Sequence, residues 1–285
     1  MRPTHPSPGR SKYWIGQWAS QLAVIIVVAV FILPLLIVVG YSFKTQRELY
    51  LGSPLSIPHS LNWDNYANAL YRLNMGTSFL NTLFYTAASV FIIAVFAGAA
   101  SWAIARNRGR FFKFSYIYFI VGILIPYQAL FLPIYIIGYS LRLTNTAYGV
   151  ILMYVATGMS FGVFLMTSFM STVPMELEEA ARVDGCSLYR TFFVIVVPLL
   201  RPAMATLIIM ESFLIWNDYL MASLYVSAGK LRTITVSIQS LFSQQTNDYT
   251  SAMAAIVISV LPIATLFVAL QRYFIKGMTV GALKG

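Results

Sequence analysis

Long apolar runs separated by short polar segments dominate the pattern of this chain. Each run has about 20 residues or more, the length of helix that crosses the ~30 Å hydrocarbon core of a bilayer. Six such runs are present, at 20–43, 79–105, 112–138, 147–170, 203–226 and 252–274. The pattern predicts an all-α membrane protein in which residues 20–274 form one domain of six transmembrane helices. Residues 1–19 and 275–285 are predicted to be terminal tails.

Composition supports a membrane protein without a separate soluble domain. Of the 285 residues, 59% are hydrophobic and only 10% are charged, whereas about 25% are charged in an average soluble domain. The first run extends from Leu22 to Val39, which exceeds the ~7–15 residues of a secretory signal core. It is therefore predicted to be an uncleaved anchor, kinked at Pro34.

The distribution of basic residues predicts the orientation in the membrane. With a cytoplasmic N-terminus, thirteen of the nineteen Lys and Arg residues lie in cytoplasmic segments, and only Lys44, Arg47, Arg72, Arg142, Lys230 and Arg232 lie outside. This bias is typical of the positive-inside rule, so both termini are predicted to be cytoplasmic. A basic surface facing anionic membrane lipid accounts for the net charge of +10, and no nucleic-acid partner is expected.

The sequence offers little equipment for catalysis. His5 and His59 are the only histidines, Cys186 is the only cysteine, and no GxxxxGK[ST] phosphate-binding loop occurs. We therefore predict no catalytic residue, no metal site, no cofactor bound by this chain and no internal disulfide. A membrane-embedded enzyme is the weaker alternative, and activity of the purified chain alone would favour it.

One polar segment, residues 171–202, collects an unusual share of the acidic residues. Four of the nine acids in the chain, Glu176, Glu178, Glu179 and Asp184, fall within nine positions. Pro174 suits the first turn of a short helix, and an acid there favours the positive end of the helix dipole. An apolar stripe of Leu177, Ala180 and Ala181 is predicted to lie between Glu178 and Glu179.

A turn and a second short helix are predicted to follow. Gly185 suits the left-handed C-cap that would end the first helix, and Ser187 suits the N-cap of the next. Pro198 and Pro202 are expected to interrupt the chain before it re-enters the membrane. The segment is thus predicted to present small residues and carboxylates to a partner with basic groups.

These residues resemble the EAA loop of ABC importer permeases. The family pattern is Glu-Ala-Ala, three residues, Gly, nine residues and Ile-x-Leu-Pro, and it is matched by Glu179, Ala180, Ala181, Gly185, Ile195 and Pro198. Val197 stands where the family prefers Leu. The resemblance implies the ABC importer permease fold, with a cytoplasmic coupling helix between membrane helices 4 and 5. It also implies that this loop, including Glu178 and Asp184, is seated in a cleft of an ATPase subunit.

The C-terminal part is similar to the smaller permease of the maltose-type carbohydrate importers. The ending QRYFIKGMTVGALKG, the stretch WNDYL and the stretch LRTITVSIQSLF carry this likeness. The resemblance implies that the tail residues Gly281, Lys284 and Gly285 contact the ATPase.

The two resemblances together imply a permease subunit of a binding-protein-dependent importer for a carbohydrate, with an oligosaccharide favoured. Implied partners are a second homologous permease, two ATP-binding subunits that carry ATP and Mg²⁺, and an extracytoplasmic sugar-binding protein. The implied location is the cytoplasmic (inner) membrane of a bacterium or archaeon. An ABC importer for another solute is the first alternative. A secondary transporter is the second, and it would need its own ion-coupling residues.

Acidic and amide side chains also occur inside the fifth apolar run, at Glu211, Asn217 and Asp218. An acid at the bilayer centre costs about 2.5–3.5 kcal/mol on insertion scales, so these groups are not expected to face lipid. Glu211 and Asp218 are two helical turns apart and are predicted to share a face with Ile215. Two interpretations remain open: a polar lining of the substrate path, or interhelical hydrogen bonds that hold the bundle together.

Overall fold

The computed structural model describes the backbone of residues 9–72, 74–227, 229–242 and 248–282. Side chains are described for residues 17–18, 20–71, 74–227, 229–242 and 248–272. These residues contain no β-strand, and their α-helices are α1 (Gly9–Phe43), α2 (Gln46–Leu51), α3 (Asp64–Arg72), α4 (Met75–Arg106), α5 (Arg110–Leu124), α6 (Tyr127–Ser140), α7 (Ala147–Met170), α8 (Glu176–Val183), α9 (Leu188–Arg190), α10 (Val197–Leu199), α11 (Arg201–Asn217), α12 (Leu220–Tyr225), α13 (Ile234–Leu241) and α14 (Tyr249–Ala282). A π-helical turn (Thr191–Val196) joins α9 to α10, and a 3₁₀ turn (Gly229–Leu231) precedes α13.

Four of the described helices are long and apolar enough to cross a membrane unbroken. They are Ser20–Phe43 of α1, all of α4, all of α7 and Tyr249–Arg272 of α14. Residues 147–170 match the sequence prediction at both ends. α1 begins at Gly9 and α14 continues to Ala282, so helix extends into both predicted tails.

The predicted third span, 112–138, is not one helix. α5 ends at Leu124, α6 begins at Tyr127, and the two helices meet at a bend of 105°. Pro126 lacks the N–H that a continuing helix needs, and it disfavours helical geometry at the residue before it. Ile125 accordingly has φ −80° and ψ 120°, which is extended backbone.

The predicted fifth span, 203–226, is also broken. α11 ends at Asn217, Asp218 is extended with φ −68° and ψ 123°, and the chain resumes as α12 at Leu220. A bend of 76° separates Leu188–Leu199 from α11. The interruption expected near the two prolines therefore lies between them, at Leu200, and Pro202 falls in the first turn of α11.

The core forms where α4 packs along α7, with α11 against both helices. Small residues make this approach possible: a Cβ on Gly162 of α7 would lie 3.0 Å from both Ala97 and Ile93 of α4. Ala97 and Ser101 are fully buried. Within the stretch AGAAS at 97–101, these buried small residues allow neighbouring helices to approach closely.

α1 lies at the edge of the bundle, where it packs on α14. Every side chain described between residues 20 and 36 is exposed, including Phe31 at 75%. An apolar surface of this length has to be covered by lipid or by another protein.

Candidate functional site

The first helix of the EAA segment (residues 171–202) is α8, which has eight residues and ends in a Schellman turn. Gly185 has φ +78°, a conformation that costs a glycine little. Its N–H donates to the Arg182 carbonyl at 3.0 Å, and the Cys186 N–H donates to the Ala181 carbonyl at 2.9 Å. This is the 5→2 and 6→1 pattern of the motif. The predicted C-cap at Gly185 is confirmed.

The second short helix also begins as predicted. The Ser187 hydroxyl accepts from the Arg190 N–H at 3.3 Å, which caps α9. Pro174 differs from expectation, because α8 begins only at Glu176 and Pro174 precedes it. Further along the segment Ile195 is half-buried within the π-helical turn, and Pro198 is half-buried within α10.

Four of the eight predicted coupling residues are exposed on α8 and in the turn that follows it. Glu179, Ala180, Asp184 and Gly185 are exposed, and so is Leu177. Ala181 is 5% exposed and turns inward. The predicted apolar stripe of Leu177, Ala180 and Ala181 is therefore divided between the two faces of the helix.

Glu178 does not present its carboxylate to solvent, so that prediction is wrong. Its side chain is 1% exposed and forms an ion pair with Arg106 at the end of α4, with Nη2 and Oε1 2.8 Å apart. Arg106 Nε donates to the same oxygen at 2.9 Å, and Trp102 Nε1 donates to Oε2 at 2.9 Å. Both carboxylate oxygens are thus satisfied, which makes burial of this charge tolerable.

Arg106 and Trp102 are site residues that sequence reasoning missed. Arg106 also donates from Nη2 to the Val173 carbonyl at 2.9 Å, and so fixes the entry to α8 as well. These partners lie more than 70 residues before Glu178 in the chain. No local pattern could have paired them, although an Arg and a Trp ending an apolar run are a weak signal of an interfacial contact.

The three polar residues of the fifth run line one cavity. It has a volume of about 710 Å³ and lies between the α5–α6 break, α7 and α11. Glu211, Asn217 and Asp218 all contribute to its wall. The further polar residues on the wall are Tyr127, Gln128, Tyr154, Thr157 and Ser160, which sequence reasoning did not select. The signal that could have found the first two is Pro126, which opens the helix beside them.

Asp218 stabilises the break in the fifth run through hydrogen bonds to its carboxylate. Its carboxylate accepts from the Tyr154 hydroxyl at 2.9 Å and the Tyr127 hydroxyl at 3.5 Å. It also accepts from the Ala222 N–H at 2.9 Å and the Met221 N–H at 3.4 Å, in the first turn of α12. Asp218 therefore lies beyond the end of α11 and caps the next helix, rather than sharing an α11 face with Glu211.

Glu211 has a different environment from Asp218. It is 3% exposed, and its Oε1 has no hydrogen-bond partner in the described part of the chain. The carboxylate lies against α7, where a Cβ on Gly158 would be 2.8 Å from Oε2. Asn217 is exposed, and its amide donates to the Phe213 carbonyl of its own helix at 2.8 Å.

The predicted C-terminal contact is only partly within the described residues. Gly281 lies in the last turn of α14, close to its end at Ala282. Lys284 and Gly285 lie outside the residues that the structure describes.

Most of the chain matches a known family and several relatives. Residues 91–280 match the family described as "binding-protein-dependent transport system inner membrane component". The chain is 36% identical over 260 residues to a probable permease protein for starch degradation products from Thermoanaerobacterium thermosulfurigenes, covering 91% of this chain and 94% of that one. It is 35% identical over 265 residues to the melibiose/raffinose/stachyose import permease of Bacillus subtilis, covering 93% and 95%.

The fold resembles a chain of a bacterial ABC transporter for the acidic polysaccharide alginate. The TM-score is 0.81 at 20% identity, covering 96% of this chain and 100% of that one. A second alginate transporter structure, solved with a pentasaccharide-bound periplasmic protein, gives a TM-score of 0.65 at 14% identity, covering 91% and 93%. These similarities show the ABC importer permease fold. With its apolar helices and the matched family, this chain belongs to the binding-protein-dependent transport system inner membrane components, which are multi-pass permease subunits of ABC importers and not enzymes.

Proposed function

We propose that this chain is one permease subunit of an ATP-driven importer for an oligosaccharide. The observation that carries the proposal is α8, a short helix whose exposed face displays Glu179 and Ala180 at one end of an apolar bundle. A small, partly acidic helix face is suited to a basic groove on another protein. ATP would close two nucleotide-binding subunits, α8 would follow that motion, and the bundle would reopen outward.

Six membrane spans follow if each bent pair counts as one. The pairs are α5 with α6, and Leu188–Leu199 with α11. Broken helices are tolerated at membrane depth where they border protein or a wet cavity, and the α5–α6 break lines the 710 Å³ cavity. With the positive-inside bias, both termini and α8 face the cytoplasm of a bacterial or archaeal cell.

The substrate class rests on the relatives and on the cavity. The relatives are described as permeases for starch degradation products, for raffinose-type sugars and for arabinooligosaccharides. The cavity wall carries hydroxyl, amide and carboxylate groups, which hydrogen-bond sugar hydroxyls well. Glu211, Asn217 and Asp218 would line the path, with Asp218 also serving the fold.

The remaining subunits would be separate chains. A second, homologous permease would complete the path, two ATP-binding subunits would hold ATP and Mg²⁺, and an extracytoplasmic binding protein would deliver the sugar. The tail residues Gly281, Lys284 and Gly285 would contact the ATPase subunit beside the cleft in which α8 is seated. The exposed apolar face of α1 would meet membrane lipid or the second permease.

Purification from the native host tests the assignment of partners. The chain should co-purify with an ATPase and a second permease, and a sugar-loaded binding protein should stimulate ATP hydrolysis by the complex. Isolation of a chain that transports sugar by itself under an ion gradient would overturn the proposal.

The single cysteine offers a test of orientation. Cys186 is half-buried in the turn after α8, so a membrane-impermeant thiol reagent should label it only from the cytoplasmic side. A Gln239→Cys variant in a Cys186→Ser background, exposed in α13, should be labelled only from the outside. The opposite pattern would invert the proposed topology.

A further inference from the structure

One face of α4 contacts both α8 and the π-helical turn that follows it. Gly98, Trp102 and Arg106 recur every four residues, so they lie along a single helical ridge. Phe192, which follows α8, stacks on Trp102 with ring centroids 5.1 Å apart and lies 3.8 Å from the Cβ position of Gly98. Glu178 of α8 binds both Trp102 and Arg106. Thus α8 and the π-helical turn are seated together on the end of α4.

The covalent connections of α8 to the neighbouring helices transmit a displacement less well than its contact with α4. Residues 171–175 link α8 to α7 through non-helical backbone. The other connection, to α11, passes through the Gly185 turn, the π-helical turn and the 76° bend. A displacement of α8 could be absorbed in residues 171–175, at the Gly185 turn or at the 76° bend, because bent and irregular segments deform more readily than packed helices.

The contact of α8 with α4, in contrast, is buried and resists deformation. The Glu178 side chain is 1% exposed and that of Arg106 is 13% exposed, so solvent and salt screen the pair weakly. Both oxygens of the carboxylate are occupied at 2.8–2.9 Å. Separation of the pair would leave each buried charge without compensation. The ion pair is therefore costly to break.

We propose that Trp102 and Arg106 are positioning residues that clamp α8 to the end of α4, so that a displacement of α8 moves the packed α4–α7 pair. This inference rests on the proposed function, because it assigns the route by which ATPase motion reaches the bundle. The two neighbouring acids then have different roles. Glu179 faces the ATPase, while Glu178 faces inward and ties the helix to the bundle.

The test uses the complete importer, reconstituted in proteoliposomes with its binding protein and sugar. Two quantities are measured: ATPase subunits retained per permease, and sugar imported per ATP hydrolysed. Arg106→Gln should keep ATPase retention, because the exposed face of α8 is unchanged. Sugar imported per ATP should fall about tenfold, within the usual range for coupling between two sites. Arg106→Lys, which keeps the charge, should retain much more of the wild-type sugar import per ATP than Arg106→Gln does.

Arg108→Gln is the matched control, since Arg108 is an exposed arginine at the same end of α4. It should leave both quantities unchanged. If Arg106→Gln lowers only the yield of complex while import per ATP stays normal, the clamp is merely structural and the proposal is overturned. If the wild-type complex itself imports nothing with ATP, the proposed function fails instead.

If the complex with Arg106→Gln does not assemble, a crosslink tests whether α8 and α4 move together. In a Cys186→Ser background, Arg106→Cys and Glu178→Cys are joined by a short bifunctional thiol reagent. Because the clamp moves as one body, the crosslinked complex should import more sugar per ATP than the same complex without reagent. Import abolished by the crosslink would show that α8 and α4 must separate, and would overturn the proposal.

Discussion

At the residue scale, Glu178 and Glu179 occupy opposite environments although they are adjacent in the chain. Glu178 is buried against Arg106, whereas Glu179 is exposed. The sequence predicted the helix and its Gly185 cap, because those depend on local spacing. It could not predict which acid faces inward, because the arginine that decides it lies 72 residues away.

Charge reversal at Glu179 should weaken binding of the ATPase. Glu179→Lys places a cation where the proposed partner is basic, and like charges brought together at an interface cost several kcal/mol. We expect the amount of ATPase co-purified with the permease to fall. Lys230→Glu, an exposed reversal in the 3₁₀ turn before α13, is the control and should have no effect. Equal losses in both variants would contradict the assigned faces.

Removal of the Asp218 carboxylate should destabilise the protein. Asp218→Ala deletes the cap of α12 and leaves the buried Tyr154 hydroxyl without its acceptor. The two effects together should cost about 1–3 kcal/mol of stability, visible as a lower melting temperature in detergent. Asn217→Ala, at an exposed residue bonded within its own helix, should change stability by less than about 0.5 kcal/mol. A normal melting temperature for Asp218→Ala would argue that Asp218 serves only the sugar path.

At the element scale, long helices were predicted well and broken ones poorly. Residues 147–170 form α7 as predicted, because hydropathy over about 20 residues registers an unbroken span. The same averaging hides the breaks at Pro126 and Asp218, since apolar residues continue on both sides of each break. Pro126 could have been recognised from backbone chemistry. The break at Asp218 depends on tyrosines from α6 and α7, which no local pattern reveals.

The turn that ends α8 should discriminate between substitutions at Gly185. No atom lies within 4 Å of a Cβ placed there, so the cost of a side chain is conformational and not steric. Asn tolerates the left-handed region, whereas a β-branched residue does not. Gly185→Asn should keep ATP-coupled uptake, and Gly185→Val should reduce it while membrane insertion remains normal. Equal uptake by the two variants would remove this turn from the coupling account.

The contact between α4 and α7 should be sensitive to added volume. Gly162→Val brings side-chain atoms against Ala97 and Ile93, already 3.0 Å from the Cβ position, and overpacking of this kind costs about 1–3 kcal/mol. The melting temperature should fall. Gly40→Ala in α1 is the control, because no atom lies within 4 Å of its Cβ position. Its melting temperature should stay the same or rise, and a similar fall in both variants would contradict the packing.

At the scale of the whole molecule, the bundle leaves much apolar surface uncovered. α1 is exposed from residue 20 to residue 36, and bulky side chains such as Phe91 and Phe96 of α4 are exposed by 60% or more. The sequence predicted membrane burial, since soluble proteins rarely expose apolar patches of this size. It could not predict the 710 Å³ cavity, because that cavity exists only where α5, α6, α7 and α11 meet.

Uptake by the reconstituted importer tests the central claim most directly. Proteoliposomes containing the complete complex are supplied with labelled oligosaccharide and its binding protein, and the energy source is varied. Vesicles with ATP on the α8 side should accumulate sugar, and vesicles with only a proton or sodium gradient should not. Accumulation driven by the gradient in the absence of ATP would contradict the account.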